Sequence, residues 1–259
     1  MHGTLGNFYA NRFIQELADG YAEEGIGLLT FNLRAHDGIS EGSQDQQLLY
    51  VGGSISTFET CVEDIGAACQ YVHSLGVQTV ALQGHSLGCE RVLAYRANQA
   101  APTSLPAVLL CPVDTVRNQL AWQSSPHYRP NEQDPPTDRR AQDLVLSTGL
   151  YGALGRRDGW RYPIPITVDA FRSLFDSQYA GFFGEAPLDP SMMQVCLRTR
   201  GLIVSSPNDS FVLEPWADFR ARLAARFPGM SLFTDIGSDH DLINVGPQVS
   251  GAVLRAIGR

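Results

Sequence analysis

The pentapeptide Gly84-His85-Ser86-Leu87-Gly88 constrains this chain more than any other feature. It follows the apolar run Thr79 to Gln83 and precedes the helix-forming run Cys89 to Tyr95. A strand, a sharp turn and a helix in this order are the context in which G-x-S-x-G strains the serine backbone and exposes its hydroxyl. A side chain on either flanking glycine would obstruct the turn. The alternative is an ordinary strand–helix turn in which Ser86 caps the helix.

The rest of the chain predicts an α/β fold. Apolar segments that alternate with amphipathic helical segments indicate a mostly parallel central sheet with helices on both faces. Five segments are predicted as buried strands: Ile26 to Asn32, Thr79 to Gly84, Ala107 to Pro112, Gly201 to Ser206, and Ser231 to Gly237. The predicted helices carry the stripe Phe13, Leu17 and Tyr21, the stripe Val62, Ile65, Cys69 and Val72, and the segments Pro215 to Phe227 and Gln248 to Ile257.

The alternation breaks between about Asp114 and Met193, in a Pro-rich and charged stretch. A connection of this length is usually functional or disordered. We therefore expect residues 1–116 and 196–259 to form the core and residues 117–195 to form an inserted cap, with helical pieces around Ala141 to Leu150 and Val168 to Phe175. The alternative is a solvated linker.

Composition excludes several classes of function. The formal net charge of −8 at pH 7 disfavours nucleic acid or an anionic membrane as the main partner. No apolar run approaches the roughly 20 residues of a membrane span, and no signal-peptide pattern is evident. Lysine is absent, so Schiff-base chemistry and Ser-Lys dyads are excluded. The cysteines lack metal-type spacing and favour free thiols in a reducing, cytoplasmic compartment: Cys61, Cys69, Cys89, Cys111 and Cys196.

Three motifs in order resemble those of the α/β-hydrolases. His2 to Gly6 is similar to the His-Gly oxyanion loop of that family, Phe31 to Ser40 to its D-x-R-G-H-G-x-S segment, and Gly84 to Gly88 to its nucleophile elbow. The second motif departs from the family pattern at Asn32, where an acid is usual, and at Asp37, where a glycine is usual. The resemblance implies the α/β-hydrolase fold over nearly the whole chain, with its first strands missing.

No strand precedes the His2-Gly3 pair in the sequence, although the family places one there. We expect that the start codon has been assigned too late in a GC-rich gene, which would leave this strand out of the sequence. A shortened sheet or the boundary of an expressed fragment is the alternative.

The resemblance also implies a catalytic triad in the order serine, acid, histidine. Ser86 is the candidate nucleophile, which requires a base because a serine hydroxyl is a poor nucleophile at neutral pH. His240 is the candidate base, since it alone among the histidines follows the last predicted strand and precedes the last helix. Asp209, after the fourth strand, is the candidate acid. Its rival is Asp114, after the third strand, a position that some members of the family use.

The developing oxyanion needs hydrogen-bond donors. By resemblance these are the backbone N–H of Leu87, which follows the nucleophile, and that of Thr4 in the His-Gly loop, with Leu5 as a possible substitute.

These residues together predict a serine hydrolase. It would cleave an ester or thioester of a small organic substrate through an acyl-enzyme. One alternative keeps the triad for acyl transfer, cyclisation, elimination or C–C cleavage in a biosynthetic pathway. Another is a non-catalytic binding protein that retains the fold. No metal-ligand spacing, phosphate loop or dinucleotide fingerprint is present in the sequence, so no cofactor is expected.

Overall fold

The structure is a computed structural model of the 259-residue chain. It describes residues 1–3, 6–9, 11–44, 46–98, 105–123, 145–147, 164–175, 179, 181–234 and 236–258.

Helices and strands alternate along most of the described chain. The helices are α1 (Arg12–Ala22), α2 (Thr60–Ser74), α3 (Leu87–Asn98), α4 (Thr115–Gln123), α5 (Val168–Phe175), α6 (Pro190–Arg198), α7 (Trp216–Arg226) and α8 (Gly246–Ala256). The strands are β1 (Ser40–Gln44), β2 (Gln47–Val51), β3 (Leu82–His85), β4 (Ala107–Leu110), β5 (Val145–Ser147), β6 (Ile164–Ile166), β7 (Gly201–Val204) and β8 (Met230–Phe233).

The central sheet consists of four parallel strands in the order β3–β4–β7–β8. Four of the five predicted buried strands are thereby confirmed. Because all four strands run in the same direction, their carboxyl ends lie at one end of the sheet. Open parallel sheets carry their functional sites at that end. The loops after β3, β7 and β8 contain the candidate nucleophile, acid and base, respectively.

The side chains of the sheet alternate between two apolar clusters. Leu109 and Ile203 point into one cluster, which is completed by α2, α3, α6 and α7. Val108 and Leu202 point into the other, which is completed by α1 and α8. This alternation follows from the two-residue period of a strand, and it places helices on both faces, as predicted.

The periodicity of the first helix is also confirmed. α1 buries the predicted stripe of Phe13, Leu17 and Tyr21. These residues recur at a spacing of four, which keeps them on one helical face.

The predicted strand over Ile26 to Asn32 is wrong. This segment is extended but pairs with no strand among the described residues. A groove of about 570 Å³ is lined both by this segment and by the free edge of β3, and the two form no ladder among the described residues. Along that edge Met1 donates its amine to the Gln83 carbonyl at 2.6 Å and accepts the His85 N–H at 3.0 Å.

The segment predicted as a cap is described in part. The helix over Val168 to Phe175 is confirmed as α5. The prediction of a helix over Ala141 to Leu150 is wrong at residues 145–147. These residues form β5 and pair antiparallel with β6. Its other residues lie outside the described part. Phe182 and Phe183 are buried in the same cluster as α3, so this end of the segment packs into the core. Residues 124–144 and 148–163 lie outside the described residues, and the division into core and cap remains a prediction.

Among the helices that the structure describes, none combines the length and the apolar character needed to cross a bilayer.

Candidate active site

The turn between β3 and α3 has the backbone strain expected of an elbow. Ser86 adopts a φ of +55°, a left-handed conformation that residues with a Cβ rarely adopt. Its N–H donates to the Leu110 carbonyl at 2.9 Å, which fixes the turn to the neighbouring strand β4. A Cβ on Gly84 would lie 2.2 Å from the carbonyl oxygen of Gly88, so a glycine is required there. The close approach of the two backbones explains the G-x-S-x-G spacing.

Ser86 lies at the amino terminus of α3, whose first residue is Leu87. The first N–H groups of a helix have no partner within it, and the helix dipole adds partial positive charge there. Leu87, the predicted source of one oxyanion donor, contributes one of these N–H groups. Ser86 as a whole residue is buried, with 7% of its surface exposed.

Gly88 is expected to be as intolerant of substitution as Gly84. A Cβ at this position would lie 2.7 Å from the carbonyl oxygens of both Met1 and His2. Although alanine favours helices by about 1 kcal/mol over glycine, Gly88→Ala should lower the free energy of unfolding by about 1–3 kcal/mol. Urea unfolding measures this change. The matched control is Gly27→Ala, because a Cβ there meets nothing within 4 Å. Equal stability of the two variants would contradict the close packing of the amino-terminal segment on α3.

The first residues of the His-Gly segment lie directly on the turn that carries Ser86. A Cβ on Gly3 would be 2.8 Å from the Cβ of Ser86. His2 is buried, its Nδ1 lies 3.0 Å from the Gly3 carbonyl, and its Nε2 lies 3.2 Å from the Leu33 N–H. Nδ1–H therefore donates and Nε2 accepts, which requires a neutral ring. Burial, followed by the charge of Arg91, lowers the pKa of His2 to about 3. The ring thus fixes the segment at any ordinary pH.

Thr4 and Leu5, the predicted sources of the second oxyanion donor, lie outside the described residues. Their assignment remains a prediction.

The loops after β7 and β8 bring Asp209 and His240 together. Nδ1–H of His240 donates to Oδ2 of Asp209 at 2.8 Å. The Asp209 side chain is fully buried, and its Oδ1 accepts the Phe211 N–H at 2.8 Å, so each carboxylate oxygen has a donor. This arrangement fixes the tautomer that leaves the Nε2 lone pair of His240 free to accept a proton.

Asp114 makes different contacts. Its Oδ1 accepts the N–H of Arg117 at 2.9 Å, which caps the first turn of α4. Burial raises the pKa of its carboxyl group. Among the described residues, the hydrogen bond to the His240 ring comes from Asp209 and not from Asp114.

Two neighbours of the His240 ring were not predicted from the sequence. The Phe211 ring stacks on it, with centroids 4.1 Å apart and planes at 29°. On another side His85 lies 4.9 Å away and donates its Nε2–H to the His240 backbone carbonyl at 2.8 Å. Burial lowers the pKa of His85 to about 3, so it acts as a neutral spacer. The only sequence signals were the position of Phe211 two residues after Asp209 and that of His85 directly before Ser86.

His85, which precedes Ser86 in the chain, contacts the His240 ring and so brings the turn that carries Ser86 and the loop that carries His240 to the same end of the sheet. The hydrogen bonds of the described residues do not include one between the Ser86 hydroxyl and the His240 ring. Such bonds are often long without substrate and shorten in the complex.

One group of described residues has the composition of a metal site. Donor atoms of His85, Cys111 and His240 lie within 4.8 Å of one another. The ligand atoms of one zinc ion lie about 3.5 Å apart, so these three side chains would have to move closer together to bind such an ion. His85 Nε2 and His240 Nδ1 also already hold hydrogen bonds.

Glu90, which lies on α3 one turn after Ser86, is a buried acid that the sequence did not single out. Its Oε2 accepts a hydrogen bond from the Thr115 hydroxyl at 3.1 Å. Burial raises the pKa of its carboxyl group from 4.5 to about 8. The folded protein therefore holds this proton at pH 7, whereas the unfolded chain releases it.

The Glu90 proton should make stability depend on pH. Between pH 4.5 and 8 the folded state binds more protons than the unfolded state, so this group lowers stability as pH rises. The slope is at most about 1.4 kcal/mol per pH unit. Glu90→Gln should remove this pH dependence. The stability of the variant relative to the wild type should therefore increase as pH rises. Urea unfolding at pH 5.5, 6.5 and 7.5 measures the difference, with the exposed Glu24→Gln as control. Parallel curves for Glu90→Gln and the wild type would contradict the prediction.

No protein-family model matches the sequence, and no curated protein matches it. Solved structures do. Est1E from Butyrivibrio proteoclasticus, with ferulic acid bound, is 17% identical with a TM-score of 0.60, over 100% of this chain and 88% of that one. The Pyrococcus furiosus esterase Pf2001 is 13% identical with a TM-score of 0.55, over 100% of this chain and 80% of that one. An extracellular alpha/beta-hydrolase from a Paenibacillus species is 12% identical with a TM-score of 0.55, over 99% and 96%.

These similarities extend over almost the whole chain, and their low identities make them evidence of fold. Together with the parallel sheet flanked by helices, they show that the chain has the α/β-hydrolase fold.

Proposed function

We propose that the protein is a serine hydrolase that cleaves an ester or thioester of a small organic substrate. The observation that carries the proposal is the buried Asp209–His240 hydrogen bond of 2.8 Å, whose imidazole contacts His85, the chain neighbour of a serine with a φ of +55°. A carboxylate that orients an imidazole next to a strained serine is the arrangement that activates a hydroxyl.

The proposed first half-reaction transfers the acyl group to the enzyme. The Oγ of Ser86 attacks the substrate carbonyl carbon while Nε2 of His240 takes its proton. The carbonyl oxygen becomes an oxyanion, which the N–H groups of Leu87 and Thr4 stabilise. The intermediate collapses, the bond to the leaving group breaks, and His240 returns the proton to the departing alcohol or thiol. Asp209 stabilises the imidazolium while it exists.

The second half-reaction releases the acid. A water molecule gives a proton to His240 and attacks the acyl carbon of the ester on Ser86. Collapse of the second tetrahedral intermediate breaks the Ser86 ester bond, and the proton on His240 passes to Oγ. The product is a carboxylic acid, and the free enzyme is regenerated.

The similar solved structures support an ester as substrate. The similar Pyrococcus furiosus protein is an esterase, and the similar Est1E holds ferulic acid. The −8 charge also fits a small organic substrate better than a polyanion.

Hydrolysis of p-nitrophenyl butyrate and of butyryl-coenzyme A tests the proposal. We expect measurable turnover of at least one compound, with butyric acid as the product, and loss of this turnover in Ser86→Ala. Turnover that survives in Ser86→Ala would contradict the role of the serine. Transfer of the acyl group to an added alcohol in preference to water would support the acyltransfer alternative.

A further inference from the structure

We propose that Arg91 is a positioning residue that anchors and polarises the peptide carrying the second oxyanion donor. Arg91 lies on α3 and is 3% exposed. Its Nη1 donates to the carbonyl oxygen of His2 at 3.2 Å and to that of Gly3 at 3.3 Å. This inference rests on the proposed function, because it assigns a role within the same site.

The anchor connects two parts of the site that must keep a fixed distance. Arg91 is on the helix that begins directly after Ser86, and the carbonyls it contacts belong to the His-Gly segment. That segment already touches the nucleophile, since a Cβ on Gly3 would lie 2.8 Å from the Cβ of Ser86. A shift of the segment along α3 would therefore move it relative to the serine hydroxyl. The two bonds from Arg91 prevent such a shift.

Arg91 and His2 hold the segment from different sides. The His2 ring accepts a hydrogen bond from the Leu33 N–H and so fixes the His-Gly segment to the loop that begins at Leu33. Arg91 fixes the backbone of His2 and Gly3 to the helix of the nucleophile. The guanidinium also helps to keep His2 neutral, since its charge is among the causes that lower the pKa of that ring.

The hydrogen bond to Gly3 has a chemical consequence for the oxyanion donor. The carbonyl of Gly3 and the N–H of Thr4 belong to one peptide group. Donation by a guanidinium to the carbonyl end of a peptide shifts electrons toward its oxygen and makes its N–H a stronger donor. In a buried setting the positive charge also favours a developing negative charge nearby. Arg91 thus acts on the transition state through the backbone and without contacting the substrate.

Arg96 provides a matched control. It lies on the same helix, is also 3% exposed, and donates its Nη1 to a backbone carbonyl, that of Leu105. Leu105 precedes β4 and is remote in sequence from the His-Gly segment. Arg91→Met and Arg96→Met each remove a buried cation and its bonds to the backbone, but only the first removes the anchor.

The test measures kcat and KM for p-nitrophenyl butyrate, and the rate constant for labelling by a fluorophosphonate, in the wild type and the variants. We expect Arg91→Met to lower kcat and the labelling rate by roughly 10–100-fold, with KM changed less than threefold, as for loss of part of an oxyanion hole. Arg91→Lys keeps the charge and should recover at least threefold of the lost rate. The kcat and labelling rate of Arg96→Met should stay within twofold of the wild type, even if its melting temperature falls as far as that of Arg91→Met.

Two results would overturn the inference. One is an Arg91→Met enzyme whose kcat stays within threefold of the wild type, and the other is an equal fall in Arg91→Met and Arg96→Met. If circular dichroism shows that Arg91→Met does not fold, Arg91→Gln replaces it, and a rate for Arg91→Gln equal to that of Arg91→Lys overturns the role of the charge. A wild type that neither hydrolyses the ester nor reacts with the fluorophosphonate would instead refute the proposed function.

Discussion

Replacement of His240 by glutamine is expected to lower kcat for ester hydrolysis by about 10⁶-fold while the protein stays folded. Glutamine is close in size but cannot accept the proton of Ser86 at neutral pH. Without a base the hydroxyl attacks too slowly, and without an acid the leaving group departs unprotonated. Both halves of the reaction should fail together. Steady-state kinetics with p-nitrophenyl butyrate and the rate of fluorophosphonate labelling measure the loss.

The control for this substitution is His73→Gln. His73 is exposed in the last turn of α2, away from the sheet edge that carries the site. Its variant should retain full activity. If His240→Gln kept more than a hundredth of the wild-type kcat, His240 would not be the base.

Replacement of Asp209 by asparagine should lower kcat by about 10⁴-fold with little change in structure. Oδ2 of Asp209 accepts Nδ1–H of His240 at 2.8 Å and so leaves Nε2 free of a proton. An asparagine amide placed there can donate to Nδ1, which favours the tautomer with its proton on Nε2. That tautomer cannot take the proton of Ser86. The loss should appear in kcat more than in KM, because the substrate does not contact this carboxylate.

Asp114→Asn separates the two candidate acids. An asparagine can still accept the Arg117 N–H at the start of α4, so the cap survives and kcat should stay within threefold of the wild type. The opposite outcome, an active Asp209→Asn and an inactive Asp114→Asn, would assign the acid to the loop after β4.

Most of the central sheet could be predicted from the sequence, because its strands and the turn at Ser86 are determined by residues close together in the chain. The strand before the elbow and the helix after it are determined by residues close to Ser86, and the turn requires Gly84 for a steric reason that any structure must satisfy. The predicted order of elements also placed Asp209 and His240 after neighbouring parallel strands. Such strands end at one edge of the sheet, so the two residues were expected to meet.

The features that the sequence did not predict depend on distant partners. Ile26 to Asn32 has the composition of a strand but lies beside a groove instead of a partner strand among the described residues. Residues 145–147 form a strand because of their pairing with β6, which their own pattern did not indicate. The stacking of Phe211 on His240 and the contact of Arg91 with Gly3 join segments whose separation in sequence gives no signal.

The central claim is that the hydroxyl of Ser86 is an activated nucleophile, and the intact mass after fluorophosphonate treatment tests it most directly. The reagent phosphonylates a serine only where a base and an oxyanion hole are assembled around it. We predict one adduct on the wild type, located on the peptide that contains Ser86, and none on Ser86→Ala. Folded wild-type protein that gains no adduct, or an adduct that persists in Ser86→Ala, would contradict the account.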